Sequence, residues 1–554
     1  MDKTINVRCK NTGKTHKVPA GFNLEDVYEM LELNMPYGCT SAKVNNKVED
    51  LHYILFGDKD VEFLDITSQS GLRTYVRSLF FVLAKAAEDL FQGVKIWIDT
   101  PVSNGYYCRL RNFPQGVTPE VVDALRSRMK EIIDADMPFR RITIPTEDAV
   151  TLFRNRGMED KALLLESYDK LYTHYYTLGE TADYFYGSLL TSTGHLKVFE
   201  LEPYYDGIFL RVPNPKDPTQ LKPRIEQKKM FSVFEEQHKW QDIIGISTIG
   251  ELNYVCKVGH SNELINVSEA LQEKKISRLA DRIASDPEKR IILVAGPSSS
   301  GKTTFAKRLA VQLWASGKKP IAIELDNYFL DRELTPRDES GDYDFEHIKA
   351  MNTELLNKHM NALLAGEEVE LPKYNFQTGK SEKSGRRLKL KPENMLILEG
   401  IHALNPELTA QIDNDMKFRI YASALTTIML DHHNYIPTTD NRLLRRIVRD
   451  FKYRGSSAED TIKRWPSVRA GEQKWIFPFQ EEADEMINTA LIFEFAALRS
   501  QALPLLELVS QKKPEYSEAY RLRKFLDYIK PISTEGLPPT SLLREFLGGS
   551  TFTY

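Results

Sequence analysis

Between Arg290 and Trp314 the chain reads RIILVAGPSSSGKTTFAKRLAVQLW, and no other stretch restricts the fold as much. Ile291 to Ala295 form an apolar, branched run of the length of a buried parallel strand. The run stops at a loop bounded by Gly296 and Gly301, which opens a helix with Lys302 and Thr303 in its first turn. This G-x-x-x-x-G-K-[ST] spacing suits the phosphates of a nucleoside triphosphate, which need several backbone N–H donors converging on them. The two glycines let the chain curl around the anion, and Ser298, Ser299 and Ser300 keep the loop small and polar. The helix start adds unpaired N–H groups and the positive end of its dipole. Lys302 is expected to reach the β- and γ-phosphates and the Thr303 hydroxyl to sit on Mg²⁺, so ATP and Mg²⁺ are the implied cofactors.

Strand and helix patterns continue beyond the loop. The helix from Thr303 to Ala315 is closed by Ser316-Gly317 and followed by a second strand, IAIEL, that delivers Asp326. A carboxylate there faces the crevice in which open α/β sheets bind ligands, and Asp326 could accept the proton of an attacking hydroxyl. A third run, NMLILEG, ends in Glu399, expected near the Mg²⁺ through a water. Strands at KFRIYAS and NTALIFEF are expected to complete a five-stranded, doubly wound parallel sheet.

Arginines 442, 445, 446 and 449 follow at helical spacing, with Arg454 before a glycine. Like charges so crowded cost about a few tenths of a kcal/mol per pair unless anions answer them. Asp440 and Asp450 answer only part, which predicts a mobile helical lid that closes over the triphosphate. Tyr374 and Phe376 offer aromatic faces suited to a flat base, although taken alone they read better as ordinary core packing.

With 554 residues the chain exceeds what one core can organise, since single cores stop growing near about 250 to 300 residues. Hydrophobic residues make up 42% and charged residues 27%, and no apolar run approaches the ~20 residues of a membrane span. The start, MDKTINVRCK, lacks the apolar core of a signal peptide, so the expectation is a cytoplasmic protein with no membrane partner. Cys9, Cys39, Cys108 and Cys256 lie far apart without metal-ligand spacing and read as reduced thiols. A formal net charge of −4 leaves any RNA binding to a local patch.

The segments GPSSSGKTT, LDNYF, PKYNFQTGK, ILEGIHAL and TDNRLLRRIVRDFKYRG resemble the uridine kinase and phosphoribulokinase branch of phosphate-loop kinases. This resemblance implies that Asp326 is the general base for a ribose 5′-hydroxyl and that Asp344, in DYDFEH, holds the sugar hydroxyls. It also implies that Tyr374 and Phe376 line the base pocket, that Tyr328 and Arg446 bind substrate, and that Thr304, Arg449 and Arg454 bind ATP. Two positions depart from the branch. Gly379 stands where a histidine usually reads the base, and Ser456 replaces a second arginine after the lid glycine.

Residues 1–67 alternate as short strands around one helix capped by Asn23, with a hairpin turning at Asn45-Asn46, and resemble the β-grasp TGS domain. Residues 68–215 resemble the α+β editing region of threonyl-tRNA synthetases. The positions matching that region's H-x-x-x-H and C-x-x-x-H ligands are Arg77, Phe81, Phe185 and Leu189, none of which binds metal, so no aminoacyl-tRNA hydrolysis is expected. His195 nearby reads as a hydrogen-bonded structural residue. A helical connector is expected over 216–285, the kinase-like unit over 286–500 and a helical segment over 501–554. Its stripe of Leu542, Leu543, Phe546 and Leu547 is expected to dock on the chain itself.

The function expected is phosphorylation of a nucleoside 5′-hydroxyl. The alternatives are another small alcohol or sugar phosphate as acceptor, or a nucleotide-switched tRNA- or RNA-binding regulator. An RNA or regulatory ligand at the N-terminal half and a homo-oligomer are both compatible with the sequence.

Overall fold

The computed structural model describes residues 3–337, 341, 343–375 and 377–553. Its first part is a five-stranded sheet in the order β2-β1-β5-β3-β4, made of β1 (Thr4–Cys9), β2 (Lys14–Pro19), β3 (Ser41–Val44), β4 (Lys47–Glu49) and β5 (Lys59–Leu64). Helix α1 (Leu24–Met30) begins with a capping box, Asn23 accepting from the Asp26 N–H and Asp26 from the Asn23 N–H. The β3–β4 turn puts Asn45 and Asn46 at φ 49° and 62°, as a two-residue hairpin turn requires.

The next part opens with α2 (Gln69–Leu90), β6 (Lys95–Val102), β7 (Gly105–Arg111), α3 (Pro119–Asp134) and β8 (Arg140–Pro145). It continues through α4 (Thr146–Asn155), α5 (Glu159–Glu166), β9 (Tyr172–Leu178), β10 (Thr181–Asp183), β11 (Glu200–Tyr204) and β12 (Gly207–Arg211). These strands form an antiparallel sheet β11-β12-β7-β6 and a smaller one, β10-β9-β8. Phe81, Phe185 and Leu189 share one apolar core, with the Phe81 and Phe185 rings 5.4 Å apart and fully buried, while Arg77 donates to the Ser188 carbonyl. The His195 Nε2 is 3.4 Å from Thr191 Oγ1.

A short hairpin of β13 (Pro213–Asn214) and β14 (Asp217–Leu221) leads into α6 (Lys228–Ile244), α7 (Ile249–Lys257) and α8 (Ser261–Ser285). Gly245, at φ 74°, breaks α6 from α7 within the run expected to be helical. Helix α6 joins two cores, with Phe231 against Tyr107 and Tyr205 on one side and Met230 and Phe234 in the core of the nucleotide-type sheet on the other.

That second five-stranded sheet comprises β15 (Ile291–Ala295), β16 (Lys319–Glu324), β19 (Asn394–Glu399), β20 (Lys417–Ser423) and β21 (Glu485–Asn488). Its order is β16-β19-β15-β20-β21 and every pairing is parallel. Alternate residues of β15 face opposite layers. Ile292 and Val294 pack with α8 and with α9 (Lys302–Ala315), while Ile291 and Leu293 pack with α10 (Thr353–Leu364) and α6. Such side chains each gain about 1.5–3 kcal/mol on full burial, which is why the run reads as continuously apolar. A hairpin of β17 (Glu368–Asn375) and β18 (Lys380–Lys389) stands outside this sheet.

The last strand differs from expectation. NTALIFEF is not a strand: pairing ends at Asn488, whose side chain binds both the N–H and the carbonyl of Leu425 at 2.9 and 2.8 Å. The chain then turns into α13 (Glu494–Glu507), so the division expected at residue 500 falls within a helix. Helices α11 (Thr438–Arg454) and α12 (Ala458–Trp475) precede β21, and α14 (Tyr516–Leu526) and α15 (Arg544–Leu547) end the chain. Leu542, Leu543, Phe546 and Leu547 are all buried against the rest of the chain. Among the described residues no helix is long and apolar enough to cross a membrane.

Candidate functional site

At Gly296 the backbone leaves β15 so tightly that an added Cβ would fall 2.1 Å from the Ala422 carbonyl oxygen and 2.7 Å from Ser300 Oγ. Ser299 and Gly301 follow at φ 58° and 81°, left-handed conformations of the kind that gather N–H groups on one side of a loop. The hydroxyls of Ser299 and Ser300 are buried with no partner among the described residues. Helix α9 starts at Lys302, so its first-turn N–H groups lack intrahelical acceptors. This donor set fits a chain of phosphates.

Two carboxylates lie on the same side of the loop, one after β19, the neighbour of β15, and one after β16, the next strand out. Glu399, at the end of β19, accepts from Thr303 Oγ1 at 3.1 Å and lies 3.7 Å from Lys302 Nζ. Burial pushes its carboxyl up to about 7, Lys302 draws it down, and the charges of Asp326 and Glu545 push it up again. A hydroxyl and a carboxylate are hard oxygen donors of the kind Mg²⁺ takes, with the rest of its shell left to water and phosphate. Asp326 lies in the turn after β16 and is an exposed residue. The protein mass crowded around it raises its carboxyl above the usual range, while Lys302, Arg454 and Arg449 oppose that rise, so the four groups share one field.

The arginine helix is not the loosely held lid that the sequence suggests. Arg442 and Arg445 are fully buried, Arg442 paired with Glu472 at 2.5 Å and Arg445 with Glu494 at 2.7 Å. Asp440 pairs with Arg521 of α14 at 2.5 Å and answers none of the α11 arginines. Arg446 donates to Ser298 Oγ at 2.7 Å, and Glu472 accepts the Ser298 N–H at 3.1 Å, so α11 and α12 brace the phosphate loop. Buried Asp450 is the shared counter-ion of Arg446, Arg449 and Arg454, at 3.2, 2.7 and 3.6 Å. Glu472, Glu494 and Arg521 escaped sequence reasoning because they lie 30 to 81 residues from their partners.

On the acceptor side the expected residues are divided. Asp344 is half-buried near Glu346, whose carboxyl burial raises to about 7 and Arg446 draws down. Tyr374 is buried on β17 with its ring 5.6 Å from that of Phe329. Phe376 lies outside the described residues. Tyr328 is turned into the core, 1% exposed, with its hydroxyl 3.1 Å from His359 Nδ1, so it offers no face to a substrate. Gly379, at φ 71°, leaves room for Arg332, whose Nε would lie 2.7 Å from an added Cβ.

One group at the loop was not anticipated. Glu545 of α15 accepts from Thr304 Oγ1 at 2.6 Å and from its N–H at 3.3 Å. A carboxylate thus already occupies donors at the start of α9 where an anion is best held. The apolar stripe around it was visible in the sequence, and the acid within it was the unused signal.

A glycine-serine loop after the central strand of a parallel sheet, with acids at the ends of the two strands on one side of it, defines a phosphate-loop nucleotide-binding protein of the kinase type. The phosphoribulokinase/uridine kinase family model matches residues 291–491. A uridine kinase of Halobacterium salinarum is 33% identical over 196 residues, which cover 35% of this chain and 77% of that protein. The chain therefore belongs to the phosphoribulokinase/uridine kinase family. A threonine–tRNA ligase of Symbiobacterium thermophilum is 27% identical over 202 residues, 36% of this chain and 31% of the ligase. A solved structure described as a possible uridine kinase from Bacillus stearothermophilus aligns at 19% identity and a TM-score of 0.27, covering 39% of this chain and 98% of that one.

Proposed function

We propose that the protein is an ATP- and Mg²⁺-dependent kinase acting on the 5′-hydroxyl of a nucleoside. The observation that carries this is a carboxylate, Asp326, sharing one field with Lys302, Arg449 and Arg454 beside a phosphate loop whose Thr303 is bonded to Glu399. ATP would supply the phosphoryl group, and Mg²⁺ held by Thr303 and Glu399 would offset the negative charge of its phosphates. Asp326 accepts the proton of the substrate hydroxyl, and its raised basicity suits that role. Gly296, Ser298, Ser299, Ser300 and Gly301 cradle the phosphates, Lys302, Arg449 and Arg454 offset charge on the moving group, and Thr303 with Glu399 holds the cation. Thr304 takes a phosphate once Glu545 yields, Asp344 and Arg446 position the sugar, and Tyr374 with Phe376 borders the base. We read residues 1–67 as a TGS-like module and 68–215 as editing-like, and the ligase similarity supports the second of these.

Asp326→Asn, assayed with ATP and a panel of nucleosides, sugar phosphates and other alcohols, is expected to lower kcat by ~10² or more with the nucleoside. Activity within about tenfold of the parent would remove the general-base assignment, and turnover of a different acceptor alone would move the protein to another kinase class. The ligase similarity favours a second reading, a tRNA-binding regulator, for which salt-sensitive tRNA binding without acceptor phosphorylation is the signature.

A further inference from the structure

Remote from the phosphate loop, a cavity of about 260 Å³ lies where β4, α2, β9 and α14 meet. Seven of its lining groups are lysines or arginines and three are acids. Each acid is already engaged: Glu49 with Lys47 at 2.6 Å, Asp50 with Arg141 at 2.9 Å, and Glu518 with Arg73 at 3.4 Å. Two cations have no carboxylate partner among the described residues. Arg77 donates one N–H to the Ser188 carbonyl at 2.8 Å, and Lys524 donates to the Tyr186 carbonyl. The Arg77 guanidinium lies so close over Gly187 that a Cβ there would come within 2.3 Å of its Cζ, so the backbone is shaped to hold the cation.

The electrostatics agree with this geometry. Burial, then Arg141, draws the Lys524 ammonium down to about 7, with Arg77 and Lys170 adding to the fall and Glu49 opposing it. His174 is held neutral by burial and by Lys524, Arg141, Lys170 and Lys47 around it. Cations brought together and half out of water carry a penalty that a counter-anion removes, and a guanidinium fork matches a phosphate or carboxylate in two bonds. Tyr172 and Tyr186 add aromatic walls.

We infer that this cavity is a binding site for a small molecule bearing a phosphate or carboxylate on a flat ring, with Arg77 and Lys524 holding the anion. Its walls come from elements far apart in the chain. Helix α14 carries Lys524 into it and also holds Asp440 of α11 through Arg521, on the same helix whose Arg446 touches the phosphate loop. The site is thus placed to act as an effector pocket.

The test is calorimetric titration of the full chain carrying Lys302→Ala, so that binding at the phosphate loop does not contribute and the outcome is independent of kinase activity. The probes are phenyl phosphate, 4-hydroxybenzoate, inorganic phosphate and a structured RNA. One molecule of a ring-bearing anion per chain is expected to bind, the phosphate or the carboxylate probe binding tighter according to the natural anion. Inorganic phosphate alone is expected to bind at least about tenfold more weakly. Lys524→Gln and Arg77→Gln, each confirmed as folded by its thermal transition, are each expected to weaken binding about tenfold or more. Should Arg77→Gln fail to fold, Lys524→Gln decides alone. No binding of any small probe up to about 5 mM, binding untouched by the folded variants, or binding of RNA only would overturn the assignment.

Discussion

At the residue scale, Glu399 and Glu545 set conditions on nucleotide binding. An acid held up to about 7 in the folded protein keeps its proton further up the pH scale, whereas a divalent cation needs the ionised form. Mg²⁺-dependent ATP binding, measured by titration calorimetry, should therefore weaken as pH falls below about 7, by up to about tenfold per unit, and level off above it. Glu399→Gln should bind weakly with no such slope. Glu545 competes for the Thr304 donors, so Glu545→Gln should tighten ATP binding by about three- to tenfold, the worth of a net hydrogen bond. Unchanged affinity would mean that the carboxylate swings aside at no cost.

At the element scale, α11 acts as a brace whose charges are answered from distant parts of the chain. Arg442 and Glu472 are each 1% exposed, and Glu472 also accepts the Ser298 N–H. Glu472→Ala should cost roughly 3–5 kcal/mol in denaturant unfolding, because it strands a buried guanidinium and releases the phosphate loop. Asp450→Asn acts on the open end of the same helix. It removes the shared counter-ion of three arginines, so kcat/KM should fall about tenfold or more with a smaller loss of stability. The helix itself was legible in TDNRLLRRIVRDFKYRG from the spacing of its arginines, and the structure shows that it is closed by Gly455 in the left-handed region. Its rigidity was not, because the apolar spacing of a helix says which face is covered and nothing of which acids lie beneath.

At the scale of the whole molecule, the parts that read as separate modules share a core. One apolar cluster runs through Phe153, Ile249, Leu443, Phe495, Leu522 and Phe546, which belong to the second α+β part, the connecting helices, the parallel-sheet part and the C-terminal helices. Lys161 is paired at 2.8 Å with both Asp183 and Asp431, all three almost fully buried, tying the second part to the third. Calorimetry should accordingly show the second part melting together with the kinase part, and a chain ending at residue 500 should lose that transition, since it leaves the cluster without α14 and α15. By itself the sequence determined the phosphate loop, four of the five parallel strands, the acids Asp326 and Glu399, the cap of α1 and the end of α9, because each is written within a turn or two of the residues that form it. Tertiary structure alone decided that Tyr328 packs inward, that Glu472, Glu494 and Arg521 answer the arginines, that Glu545 reaches the loop and that Arg77 and Lys524 meet across a cavity. Those pairings join side chains 30 to 447 residues apart, and hydrophobic periodicity carries no information about which distant charge a buried charge will find.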